Sequence, residues 1–122
     1  MADWFQTEIE FTGPPAVIDE LEAEYKKAMA IEYEDTDPRW LGKLANYAGV
    51  ECEWTRTFVT DQWVDRGHPS RESDLYYMYI ECDSTRPESV DDTVIAFVKF
   101  LKLEDKLDVS RQYWAPEYEQ IL

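Results

Sequence analysis

Basic residues are scarce in this chain. Its 122 residues include 12 Lys and Arg against 27 Asp and Glu, so the formal net charge is −15. A net charge of magnitude about 2–8 keeps a small domain soluble, and this value lies far beyond that range. A field of this sign repels nucleic acid and anionic membranes and attracts basic partners. The shortage of cations therefore argues against direct binding to nucleic acid or membrane and favours a basic protein surface as the partner.

Long apolar runs and a leader-like start are also lacking. No stretch approaches the roughly 18 apolar residues that a membrane span requires. Residues 1–4 do not show the basic and then apolar order of a signal peptide. We therefore expect a soluble protein of the cytoplasm.

Histidine and cysteine are rare. The chain has one histidine, His68, and two cysteines, Cys52 and Cys82, without CxxC spacing. These three residues cannot complete a zinc site without carboxylates from elsewhere. Both cysteines fall on inward faces of predicted strands, nearly opposite each other, so a disulfide is conceivable in an oxidising setting. In a reducing compartment two buried thiols are the simpler expectation, and we expect no metal or other cofactor.

Catalytic motifs are absent as well. The chain has no Gly-x-Ser-x-Gly, no P-loop and no dinucleotide fingerprint. Its carboxylates could serve as an acid and base pair in glycoside hydrolysis, but nothing singles out such a pair. They could also hold Mg²⁺ or Ca²⁺, although Asp35-Thr36-Asp37 shows only one repeat of a calcium loop and lacks its glycine. We expect a protein that is not an enzyme, with a small metal- or nucleotide-binding enzyme as an open alternative.

What the chain does contain is a large apolar and aromatic fraction. Apolar residues make up 44% of it and aromatic residues 15%, with 5 Trp and 8 Tyr. Disordered acidic tails are poor in such residues, so this composition predicts a folded acidic domain. A chain of this length is long enough for one hydrophobic core, and we expect one domain spanning residues 1–122.

Hydrophobic periodicity predicts four strands and three helices. Alternation of period two places the strands at residues 4–11, 50–59, 75–83 and 107–113. Apolar residues at helical spacing place the helices at residues 15–29, 39–48 and 89–103. Gly49 is expected to end the second helix, and Ser89 with Asp92 resembles a capping box at the start of the third. Residues 60–74, which include Trp63, are interpreted as a long polar loop.

The order of these elements predicts the fold class. Strand, helix with a short extra helix, strand, strand, helix, strand is the order of the split βαβ, or ferredoxin-like, α+β fold. In that fold the major helices cover one face of a four-stranded antiparallel sheet. The alternation agrees, because a sheet with one packed and one wet face shows apolar-in, polar-out strands.

Two segments resemble a known family. One is the opening Asp-Trp-Phe-Gln-Thr-Glu-Ile-Glu-Phe-Thr-Gly-Pro-Pro at 3–15, and the other is Arg-Trp-Leu-Gly-Lys-Leu at 39–44 with Ala-Gly-Val at 48–50. They resemble the phage- and plasmid-encoded YubB-type ferredoxin-like proteins, which open with an Asn-Trp strand and carry a Trp-Leu-Gly helix before an aliphatic strand. Asp3 stands here in place of that Asn, and Ala-Pro-Glu at 115–117 only echoes the family's C-terminal stretch. The resemblance implies the fold and a mobile-element origin, and it implies no activity.

The outward residues of the predicted strands share one open sheet face. Its acidic and aromatic members form the candidate partner-binding site: Glu8, Glu10, Glu51, Glu53, Tyr77, Tyr79, Glu81 and Asp108. RNA-binding sheets place basic and stacking aromatic residues at such positions, so here the aromatics fit but the charges have the wrong sign for phosphate. The face is either a solvated surface or a docking face for a basic protein. A secondary acidic patch follows the first helix: Glu32, Glu34, Asp35 and Asp37.

Charge, aromatic content and the resemblance together predict a non-catalytic protein that binds and inhibits a basic, nucleic-acid-binding host protein in the host cytoplasm. A nuclease or a guide-RNA effector complex would be a natural target, which would make the chain an anti-CRISPR-like counter-defence protein or a nucleic-acid mimic. The alternative is a self-associating module, such as a homodimer through the sheet or an edge strand, in which acidity only maintains solubility.

Overall fold

Four strands and three helices make up the computed structural model, which describes residues 4–32, 40–51, 57–66 and 75–114 apart from the side chains of Phe58 and Trp114. In chain order the elements are β1 (Phe5–Gly13), α1 (Pro15–Ala30), α2 (Trp40–Ala48), β2 (Thr57–Asp65), β3 (Tyr76–Ser84), α3 (Pro87–Phe100) and β4 (Asp108–Trp114). With the exception of β2, each element lies where hydrophobic periodicity predicts it, with ends shifted by a few residues at most.

The sheet has the strand order β2-β3-β1-β4, and each neighbouring pair is antiparallel. β1 and β3 are therefore the central strands, while β2 and β4 form the edges. This is the ferredoxin-like α+β arrangement that the element order predicts.

The hydrophobic core lies between the helices and one face of the sheet. The strands contribute alternate side chains, because successive residues of a strand point to opposite faces. The most deeply buried core residues include Ile9, Phe11, Met78 and Ile80 from the strands and Ile18, Leu21, Leu41, Leu44, Val94 and Phe97 from the helices. Burial of one such side chain stabilises the fold by roughly 1.5–3 kcal/mol. All three helices that the structure describes pack on this face, so none of them covers the opposite face of the sheet.

The end of α2 confirms the predicted glycine cap. Gly49 has φ +71°, a conformation that glycine adopts at no steric cost. The Val50 amide donates to the Ala45 carbonyl at 3.0 Å and the Gly49 amide to the Asn46 carbonyl at 3.2 Å. These two bonds form the Schellman motif, which satisfies the last carbonyls of the helix.

The start of α3 differs from its prediction. The helix begins at Pro87, and the preceding Arg86 makes no side-chain hydrogen bond to the helix end. Ser89 is therefore inside the first turn and buried, so the capping box predicted from Ser89 and Asp92 is wrong. Proline explains the earlier start, because its fixed φ suits the first helical position and its missing N–H is not needed there.

The predicted position of β2 is also wrong. The strand pairs Thr57 with Ser84 and Asp65 with Tyr77, so it lies along all of β3 except Tyr76. The strand predicted at 50–59 overlaps it only at its first residues, and the loop predicted at 60–74 contains most of the true strand. A register shift at a β-bulge between Val59 and Asp61 explains the error, because the extra residue interrupts the alternation on which the prediction depends.

The observed position of β2 changes the placement of two predicted site residues and of one predicted cysteine contact. Glu51 is exposed but precedes β2, so it does not belong to the sheet face, and Glu53 lies outside the described residues. Cys82 lies opposite Val59, which makes its predicted position opposite Cys52 wrong. Cys82 is a buried free thiol, and Cys52 lies outside the described residues.

Candidate functional site

The outward side chains of the sheet form lateral rows, because residues of antiparallel neighbours lie directly opposite each other. The carboxylate row consists of Asp61, Glu81, Glu8 and Gln112. The aromatic row consists of Trp63, Tyr79, Glu10 and Ser110. The third row consists of Asp65, Tyr77, Thr12 and Asp108. We refer to these three rows together as the open face.

The carboxylate row sets three acidic side chains side by side. Glu81 on β3 lies opposite Asp61 on β2 and opposite Glu8 on β1. Directly opposite side chains have Cβ atoms about 4.5–5.5 Å apart, and like charges at that spacing destabilise the sheet. The Gln6 amide donates to Glu81 Oε1 at 2.6 Å and holds that carboxylate in place. The row therefore concentrates negative charge at a cost in stability.

The aromatic row begins with a stacked pair. The rings of Trp63 and Tyr79 have centroids 4.8 Å apart and an interplanar angle of 22°. Trp63 nevertheless stays 45% exposed, which is unusual for a side chain of this size in a small domain. Stacking on Tyr79 holds the indole in one orientation and so preorganises it for contact.

A surface depression joins these two rows. It has a volume of about 340 Å³ and is lined by Glu8, Trp63, Asp65, Tyr79, Ile80 and Glu81. Aromatic rings from one row and carboxylates from the next thus border the same space. Such a combination suits a ligand that is both cationic and able to pack on an aromatic surface.

The described outward positions of the four strands carry charges of one sign only. Seven carboxylates and no Lys or Arg occupy them: Glu8, Glu10, Asp61, Asp65, Glu81, Asp83 and Asp108. Arg111 faces the helices instead, and its Nε lies 2.9 Å from Asp91 Oδ1 of α3. Arg66 follows β2 and turns to α1, where Nη2 lies 3.2 Å from Asp19 Oδ1 and also contacts Glu22.

A hydrogen-bonded chain fixes the edge strand that carries Trp63. Trp40 Nε1 donates to the Tyr25 hydroxyl at 2.8 Å, and that hydroxyl donates to Gln62 Oε1 at 2.7 Å. Burial raises the pKa of Tyr25, so it remains a neutral donor at physiological pH. Because Gln62 precedes Trp63 on β2, this chain ties the position of the indole to both α1 and α2.

Helices α1 and α2 are joined by a second polar contact. The Tyr47 hydroxyl donates to Glu24 Oε2, and Lys27 Nζ donates to Glu24 Oε1 at 3.0 Å. The hydrogen bond from Tyr47 is the main reason why the pKa of Glu24 lies below its ordinary value, and the same bond raises the pKa of Tyr47. This contact supports the helical layer on the far side of the sheet from the open face.

The structure brings together most of the residues that the sequence places in the partner-binding site. Glu8, Glu10, Tyr77, Tyr79, Glu81 and Asp108 all lie on the open face. Sequence reasoning missed Asp61, Trp63 and Asp65, which replace Glu51 and Glu53. Thr60, Trp63 and Val64, which are strand-forming residues directly after the predicted strand, were the signal that could have found them. Of the secondary patch, Glu32 is exposed after α1, whereas Glu34, Asp35 and Asp37 lie outside the described residues.

Metal-binding clusters and membrane-spanning helices are both absent from the residues that the structure describes. Within them, no group of three or more His, Cys, Asp or Glu side chains has the arrangement to hold a metal ion. No helix in the same ranges is both long and apolar enough to cross a membrane.

No protein-family model matches the chain, and no curated protein matches its sequence. Among solved structures, it is similar to a dimeric ferredoxin-like protein from an uncultured marine organism, at 10% identity and a TM-score of 0.47 over 93% of this chain and 95% of that one. It is also similar to SnoaB, a cofactor-independent oxygenase from Streptomyces nogalater, at 14% identity and a TM-score of 0.43 over 94% of each chain. The de novo designed protein Foldit4 matches at 9% identity and a TM-score of 0.42 over 93% of this chain and 98% of that one. At these identities the likeness concerns the fold alone.

Proposed function

We propose that this protein is a non-catalytic binding protein whose open face docks on the basic surface of a nucleic-acid-binding protein and competes with the nucleic acid. One observation carries the proposal: the outward strand positions that the structure describes hold seven carboxylates, no Lys or Arg, and an exposed, stacked Trp63. Acidic side chains alone would be an ordinary solvated surface. The aromatic pair among them supplies apolar contact area of the kind that anchors interfaces.

The charge arrangement supports a role beyond solubility. Solubility is served by carboxylates anywhere on the surface, whereas three of them directly opposite one another cost stability. Electrostatic potentials of opposite sign steer two proteins together, and potentials of like sign keep wrong partners apart. When a basic partner binds, its positive charges would offset the repulsion within the carboxylate row. The row would then favour binding although it lowers the stability of the free protein.

The partner class follows from this chemistry and from the resemblance to mobile-element proteins. A surface that binds nucleic acid is built from Lys and Arg, so a protein presenting carboxylates in their place can occupy it. A host nuclease or guide-RNA effector complex is such a target. Inhibition then results from occupancy, with no chemical step required of this chain.

Self-association through the open face is the competing arrangement. It would set the seven carboxylates of one copy against the seven of another, and like-charge juxtaposition across an interface costs several kcal/mol. Light scattering separates the two cases. A monomer at neutral pH agrees with an open docking face, and a stable dimer that buries Trp63 contradicts it.

The test uses two variants of equal charge. Glu8→Lys/Glu10→Lys/Glu81→Lys reverses the open face, and Glu20→Lys/Asp92→Lys/Glu104→Lys reverses three exposed carboxylates elsewhere. Host lysate is passed over each immobilised protein at low salt, and captured proteins are eluted with salt or with added nucleic acid. We expect wild type and the second variant to capture the same basic protein, which nucleic acid displaces, and the first variant to lose it. Capture by both variants alike would refute the proposal.

A further inference from the structure

We propose that the depression between the carboxylate and aromatic rows accepts an arginine side chain of the partner and is the anchor of the interface. This inference rests on the proposed function, because it names the group that the open face recognises. It is carried by the juxtaposition of Glu8 and Glu81 with the stacked Trp63–Tyr79 pair around one space.

The carboxylates require a cation. Glu81 lies between Asp61 and Glu8 in the same row, and Glu8 and Glu81 line the depression itself. A positive group placed there interacts favourably with all three, because each lies within about 5 Å of its neighbour in the row. Removal of water by a docked partner strengthens these attractions further.

The size of the depression favours a side chain over a bare ion. Its volume of about 340 Å³ falls within the roughly 300–1,000 Å³ of sites that hold organic ligands. A divalent ion would need several oxygen ligands converging on one point. In the ranges that the structure describes, no such group of side chains is present.

The aromatic wall favours guanidinium over ammonium. The guanidinium group is planar, stacks on aromatic faces and is more weakly hydrated than an ammonium group. Its fork of N–H donors also matches a carboxylate with two parallel hydrogen bonds. Trp63 offers the best aromatic surface for a cation, and 45% of it is exposed next to Glu8 and Glu81. Lysine could satisfy the charge but not the stacking and the fork together.

The experiment compares deca-arginine with deca-lysine, which carry the same charge, by calorimetry at low salt. Wild type is expected to bind deca-arginine about tenfold more tightly than deca-lysine. Trp63→Ala should lose most of this preference, because it removes the better aromatic surface for a guanidinium and leaves the charge attraction in place. Phe100→Ala is the matched control, because Phe100 on α3 has a similar exposure of 46% and lies away from the open face. It should keep the arginine preference.

A second measurement needs no aromatic deletion. Titration with N-acetyl-arginine amide, followed by NMR, should shift the indole N–H signal of Trp63, which is assigned with the Trp63→Phe variant. N-acetyl-lysine amide should shift it much less.

Equal binding of the two peptides by wild type, or an unmoved indole signal, would overturn the arginine anchor. If the triple Lys variant of the open face nevertheless loses deca-arginine, the docking face stands without the anchor. If that variant binds as wild type does, the proposed function itself fails.

Discussion

Glu81 occupies the centre of the charge cluster on the open face. It has a carboxylate opposite it on each side and a hydrogen bond from Gln6 at 2.6 Å. Repulsion within the sheet and the proposed attraction to a basic partner would therefore act on the same side chain. We therefore expect the charge of Glu81 to lower the stability of the free protein and to raise its affinity for a basic partner.

Glu81→Gln is expected to stabilise the free protein. The change removes both like-charge contacts while keeping the shape of the side chain, and at low salt it should raise the free energy of unfolding by about 0.5 kcal/mol. Urea denaturation measures this value. Glu104→Gln, at an exposed turn position, is the control and should change little. A lower stability of Glu81→Gln would show that the row is not repulsive.

The buried thiol of Cys82 should make the free energy of unfolding depend on pH. Burial raises the pKa of its thiol from 9.0 to about 12, so the unfolded thiol ionises before the folded one does. Its contribution to stability is therefore full below pH 9 and is lost as the pH rises from 9 to 12. In a Cys52→Ser background, alkylation of Cys82 at pH 9 should be at least about a hundredfold slower in native protein than in urea. Equal rates would show that Cys82 is accessible.

Element β2 shows where sequence reasoning succeeded and where it failed. β1 and β3 are central strands with regular alternation, and Ile9 and Ile80 mark their inward faces in the sequence as in the structure. β2 is an edge strand with a bulge, an outward Trp63 and a partly buried Val64 beside it, so apolar residues appear on both of its faces. A pattern of period two cannot locate such a strand.

Regular alternation also decided which residues of the candidate site could be predicted from the sequence. Glu8, Glu10, Tyr77, Tyr79 and Glu81 were predictable, since each lies on a strand whose alternation is unbroken. The stacking of Trp63 on Tyr79 was not, because it depends on the register between β2 and β3. Pairing register is set by the hydrophobic pattern and by turn geometry, and the bulge between Val59 and Asp61 interrupts that pattern in β2.

The backbone conformation at the end of α3 lowers the stability of the folded protein. Lys102 has φ +61°, and the Leu103 amide donates to the Val98 carbonyl at 3.1 Å, so a non-glycine residue occupies the left-handed position of a Schellman motif. This conformation costs a non-glycine residue about 1 kcal/mol. Lys102→Gly should therefore raise the free energy of unfolding by about that amount, whereas Lys102→Ala removes the same charge and should give no gain. Thermal denaturation of both variants distinguishes strain from charge.

For the whole molecule, a net charge of −15 predicts stability that rises with salt. Self-repulsion opposes the compact state, and ions screen it over about 8 Å at physiological ionic strength. We expect the melting temperature to increase by a few degrees between low and moderate NaCl, while affinity for basic peptides falls. A melting temperature that decreases with salt would indicate that attractive ion pairs dominate the surface.

The charge is also distributed unevenly over the molecule, and that distribution is the basis of the proposed function. Arg66 and Arg111, which lie at or near the sheet, pair with acids of α1 and α3, and none of the described outward positions of the sheet holds a Lys or Arg. The proposed basic partner would therefore meet its strongest attraction on one side of the protein.

The most direct test is to map the binding of deca-arginine on ¹⁵N-labelled protein by NMR. We expect the shift changes to concentrate on β1, β2 and β3, with the largest at Glu8, Trp63, Tyr79 and Glu81, and to disappear in Glu8→Lys/Glu10→Lys/Glu81→Lys. Changes centred on the exposed carboxylates of α1 and α3, with these four residues unaffected, would contradict it.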